Sequence, residues 1–120
     1  MTKKIKIVLD LLDYWKPKLS LGDWEITVKR VGDDHEENLL AQCLPSFNYR
    51  EATLTVFPAF YKETPREQKS TILHELLHII LDPYNEIFRD MREGKIVTRK
   101  NEININEQTT SWLEKIIMNL

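Results

Sequence analysis

The sequence predicts a single α+β domain spanning residues 1–120: an N-terminal helix, a small, mostly antiparallel sheet, a helix bearing a histidine pair, and a C-terminal helix. Three observations predict it. Apolar residues recur at helical spacing near the amino terminus and again after Thr64, and between these stretches they alternate with polar ones over short runs. A chain of 120 residues is long enough for one core and little more.

Ile5, Val8, Leu11, Leu12 and Trp15 make one helical face that stops at Pro17. Ser20, Gly22 and Asp23 then turn the chain into Trp24 to Lys29, which alternates as a half-buried strand does. The acidic stretch from Gly32 to Asn38, with His35 in it, reads as an exposed loop, since it carries too little apolar area to offset ordering. Ala41 to Asn48 and Ala52 to Phe57 follow as strands joined through Tyr49, Arg50 and Glu51, which suggests a hairpin and brings the sheet to about three strands.

The next helix carries the most local information. Thr64 can cap it, Pro65 suits its first position and Glu67 completes a capping box. Ile72, Leu76, Ile79 and Ile80 form its apolar stripe, and Asp82 before Pro83 ends it. Asn85 to Glu93 reads as a separate short helix stopped by Gly94, within a connector that runs from Tyr84 to Lys100. The last helix starts near Asn104 or Asn106 and packs through Trp112, Leu113, Ile116, Ile117 and Leu120.

Composition excludes several classes. With 42% apolar and 30% charged residues and a formal charge of −2, the chain is expected to be a globular protein of the cytosol. Lysines and arginines are scattered among acids, so neither a nucleic-acid backbone nor a membrane is an expected partner. No apolar run approaches the roughly 20 residues of a membrane span, and the basic amino terminus is broken by Asp10 and Asp13 before a signal-peptide core can form. Cys43 is the only cysteine, which removes intramolecular disulfides and cysteine-based metal sites.

The chemistry concentrates in His74-Glu75-Leu76-Leu77-His78. Two imidazoles four residues apart project from one helix face and can hold the same ion, with zinc, one per chain, the expected choice for nitrogen donors. Glu75, rotated about 100° around the axis from His74, is turned from easy coordination but near enough to serve as a general base towards a water that the ion acidifies. Chance placement of this chain's histidines and glutamates yields the pattern in under about 1% of shuffled sequences. A catalytic zinc needs a third protein ligand. Glu107 is the leading candidate, since it falls near the start of the last helix; the alternative is a capping glutamate reaching back to Asn104. Glu102 and Glu86 stand behind it, and Asp82 behind them.

These residues resemble the gluzincin zinc metallopeptidases, particularly their minimal single-domain members, in which a helix and a small sheet precede the HExxH helix and a later helix supplies a glutamate within an Asn-Glu-x-x-x-Asp motif. Asn106-Glu107-Gln108-Thr109-Thr110-Ser111 matches except at its end, where Ser111 replaces the aspartate that would support a ligand histidine. The resemblance implies His74, His78 and Glu107 as metal ligands, Glu75 as base, and hydrolysis of peptide or protein substrates. It also implies a substrate strand added to a sheet edge, for which Ala52 to Phe57, with Thr53, Leu54 and Thr55, is the expected seat. Tyr84 is the candidate partner for the transition-state oxyanion. The alternative is a latent or inactive zinc-binding regulatory protein on the same scaffold.

Overall fold

The computed structural model describes residues 3–31 and 39–118. The acidic segment with His35, and Leu120, lie outside the described residues. Helix α1 (Lys3–Lys18) leads into strand β1 (Glu25–Arg30), followed by β2 (Ala41–Ser46), β3 (Glu51–Val56), α2 (Pro65–Arg92) and α3 (Arg99–Met118). The α+β class and its terminal helices are as the sequence predicts.

The sheet is mixed, in the order β1-β3-β2. β2 and β3 form the expected antiparallel hairpin, with Cys43 opposite Leu54, whereas β1 runs parallel to β3, with Ile26 opposite Ala52. The mostly antiparallel expectation is thus half met. β3, the last strand in the chain, lies between the first two. β2 stops at Ser46, two residues earlier than expected, because Phe47–Tyr49 form a 3-10 turn closed by Arg50 in the left-handed conformation (φ 53°). Arg50 also pairs with Asp23, and its carbonyl accepts from the Glu25 N–H, so the turn is tied to the start of β1.

One sheet face is apolar. Ala41, Cys43, Ala52, Leu54 and Val56 are buried with Val8 and Leu12 of α1 and with Ile72, Leu76 and Ile79 of α2. The α1 pattern meets expectation, although the helix runs one residue past Pro17.

Two helix boundaries differ from expectation. α2 continues through Pro83 to Arg92, so Asn85 to Glu93 is its last part and not a separate helix. A proline here forfeits one backbone bond and crowds the preceding turn. Its ring is buried, however, and Ile79, whose carbonyl loses the bond, is wholly buried as well, so packing keeps the helix going. The true stop is Gly94, at φ 75°, where its N–H donates to Met91 and that of Lys95 to Asp90, the double bond of a Schellman end. At α3, Thr98 and not Asn104 is the cap: its hydroxyl accepts from the Asn101 N–H at 3.2 Å. The connector therefore shrinks to residues 93–98. α3 packs through Trp112, Ile116 and the buried Thr109, whereas Leu113 and Ile117 stay exposed.

Candidate metal centre

α2 carries the centre, and its start is fixed by local bonds. Thr64 Oγ1 accepts from the Glu67 N–H at 3.2 Å, and the Thr64 N–H donates to Glu67 Oε1 at 2.8 Å. Hydrogen bonding from the Thr64 backbone N–H, and then from its side chain, holds the Glu67 carboxyl below its ordinary range. Ten residues on, His74 and His78 stand one turn apart, with ring centroids 5.0 Å from each other and planes at 84°.

Donor atoms of His74, Glu75 and His78 all lie within 4.8 Å of one another, which makes these residues a group that could hold a metal ion. The donor set fits the requirement. Two nitrogens, each about 2 Å from a tetrahedral ion, stand roughly 3.3 Å apart, a distance that small side-chain rotations from this geometry reach. The His74 side chain is 69% exposed, so such rotation is unobstructed, whereas that of Glu75 is only 12% exposed.

Glu75 is held by the sheet. Its Oε1 accepts from the Cys43 backbone N–H at 3.1 Å, and its Oε2 lies 3.9 Å from His74 Nε2. The carboxylate thus stands between a strand amide and the imidazole pair. A recess of about 360 Å³ opens beside it, lined by Leu39, Leu40, Ala41, Ser70, Thr71, His74 and Glu75. The nearby Cys43 thiol is buried, and that burial, reinforced by the charges of Glu75 and Asp82, pushes it up to about 12. It is a protonated core group at neutral pH.

The other candidates lie outside this group. Glu107 is exposed on α3, more than two turns from its start, so a capping bond back to Asn104 is ruled out because Asn104 is itself inside the helix. Glu102 is exposed in the first turn of α3 and Glu86 is exposed on α2. Asp82 is half-buried one turn past His78, its carboxyl raised first by burial and then by Glu86, against a lowering by Arg89. The Tyr84 hydroxyl donates to Asn106 Oδ1 at 2.5 Å, which joins α2 to α3 one residue before Glu107. Ser111 lines a different hollow of about 340 Å³, with Trp24, Phe47 and Trp112.

The seat expected at Thr53, Leu54 and Thr55 is corrected. β3 is the central strand, and its residues pair with β1 on one side and β2 on the other, so its main chain has no open edge to offer. The strand beside the histidine helix is β2, an edge. One sequence signal pointed there: Pro45 cannot donate to a ladder, and prolines within sheets sit on edge strands. The bond between Cys43 and Glu75 had no signal in the sequence, because it depends on how α2 lies along β2.

Comparison with known proteins yields no matching family model, no similar curated protein and no similar solved structure. The metal-binding reading therefore rests on this chain's own geometry. No helix among the described residues is long and apolar enough to cross a membrane.

Proposed function

We propose that the protein is a zinc-dependent metallopeptidase of gluzincin type. The single observation that carries this reading is the arrangement at His74, Glu75 and His78: two convergent imidazoles and a largely buried carboxylate beside an open recess, all on one capped helix. His74 and His78 would hold the ion. When bound, zinc supplies Lewis acidity, polarising a carbonyl and acidifying a water. Glu75, 3.9 Å from His74 on one oxygen, accepts the proton and returns it to the leaving amine.

Glu107 is proposed as the third ligand. The Tyr84 to Asn106 bond supports this, since Tyr84 lies six residues beyond His78, a rise of roughly 9 Å along α2. An approach of α3 to α2 beside this bond would carry Glu107 towards the pair. The substrate is proposed to be an extended peptide lying along β2, the sheet edge adjoining α2.

A second reading, a zinc-binding regulatory protein without turnover, is favoured by two observations: Glu107 stands exposed outside the group, and Ser111 lines another hollow. Zinc content and digestion of a mixed peptide library, measured on the wild type and on Glu75→Gln, separate the readings. The peptidase reading expects zinc bound in both and cleavage only in the wild type. Zinc bound without cleavage by the wild type would select the second, and absence of zinc binding would remove both.

A further inference from the structure

The register of the sheet determines which way each main-chain group of β2 faces. Phe57 N–H donates to the Leu40 carbonyl. Across an antiparallel ladder bonded pairs alternate, so Gln42, Leu44 and Ser46 bond to β3, while Ala41, Cys43 and Pro45 turn their main-chain groups outward. Pro45 has no N–H. Along β2 only Ala41 and Cys43 can therefore donate from the outer edge, and the Cys43 N–H is already taken by Glu75 Oε1 at 3.1 Å.

An exposed strand edge invites strand addition and is commonly blunted by prolines or charged side chains. Here the blunting charge is the carboxylate next to the histidine pair. We propose that Glu75 and an extended peptide compete for the Cys43 N–H, so that a peptide carbonyl docking on the β2 edge takes this donor and releases the Glu75 carboxylate towards His74 and His78. The coupling rests on the peptidase reading for its use. Its geometry does not.

Three features make the exchange local. The bond is a single one at the margin of the recess. The other Glu75 oxygen is already turned towards His74, so the freed carboxylate needs only to rotate. Pro45 ends the usable edge, leaving Cys43 as the last donor that a peptide can reach in the direction of Ser46. Cys43 thereby acts as a positioning residue through its main chain, with its thiol packed in the core.

The test needs neither metal nor turnover, so it can fail while the peptidase reading stands, and the converse holds. Amide hydrogen exchange of the ¹⁵N-labelled full chain is compared between wild type and Glu75→Ala. Cys43 exchange is expected to accelerate roughly tenfold or more, as loss of a charge-assisted bond implies, while the Leu54 amide in the central strand stays protected. The probe for the edge is a blocked synthetic peptide with the sequence of residues 51–57, the strand that β2 already pairs with in antiparallel register. It is expected to bind Glu75→Ala about tenfold more tightly than wild type. Unchanged Cys43 exchange, equal affinity for both proteins, or binding to neither overturns the proposal. If Glu75→Ala does not fold, Glu75→Gln serves in its place: its weaker acceptor shifts the Cys43 amide proton upfield, and an unmoved signal overturns the proposal in the same way.

Discussion

The two halves of α2 differ in how they are held. From Pro65 to Asp82 the helix is capped by reciprocal bonds, buries Gln68 and Ile80, and packs Ile72, Leu76 and Ile79 into one core with the sheet and α1. Beyond Pro83 it leaves the core: Phe88 and Met91 are 58% and 59% exposed, and α3 keeps Ile103 and Ile117 at 49% and 66%. The outer half and α3 are joined by the Tyr84 to Asn106 bond, while α3 is anchored elsewhere by Trp112 Nε1 donating to the Leu19 carbonyl at 2.7 Å. The Cα radius of gyration, 15.9 Å, exceeds the roughly 13.6 Å of a compact chain of this length. The histidine pair thus sits on a rigid platform, whereas the helix bearing the proposed third ligand has less packing to hold it. Neighbouring positions on one helix bring His74, Glu75 and His78 together, whereas the place of Glu107 depends on how α3 is packed.

That contrast can be broken or sharpened by experiment. The largest effect is expected at the platform: His74→Ala or His78→Ala should reduce zinc affinity by more than the ten- to hundredfold typical of losing a supporting partner. Glu107→Ala should fall within about that smaller range, as measured by competition with a chromophoric chelator. Equal losses at all three positions would mean that α3 is as firmly placed as α2. Leu76→Ala, in the fully buried stripe, should cost about 3 kcal/mol in urea unfolding.

Alkali should act on the platform too. Burial raises the Cys43 thiol from 9.0 to about 12, so above pH 9 the unfolded chain releases a proton that the folded chain retains. Stability should therefore fall as pH rises from 9 towards 12, by up to about 1.4 kcal/mol per unit. Cys43→Ala should flatten that slope, visible as a smaller drop in Tm between pH 9 and 10.5. The smallest effect belongs to the outer half, where Phe88→Ala should leave stability within about 0.5 kcal/mol of wild type. A larger loss would show that this face is covered in solution.

Much of the fold was legible in the sequence wherever local chemistry decides. The Thr64 to Glu67 box, the stripe from Ile72 to Ile80, the alternation of β1 and the stop at Gly94 depend on near neighbours, and all are found. The end of α2 depends on distant partners. Pro83 reads as a stop by its own chemistry, yet the helix passes through it because the ring and Ile79 are both buried. The start of α3 is local, yet Thr98 and its partner, Asn101, lie before the apolar pattern that marks the helix, so that pattern points to a later start.

The candidate site divides along the same line. Sequence alone determined that His74 and His78 face one way with Glu75 beside them, because a helix fixes the relation of residues four and one apart. Only the tertiary structure decided that β3 lies at the centre of the sheet, that β2 forms the edge along α2, and that the Cys43 N–H takes up the Glu75 carboxylate. Strand order and the lie of a helix along a sheet are set by the summed packing of residues far apart in the chain, and no short segment carries that sum.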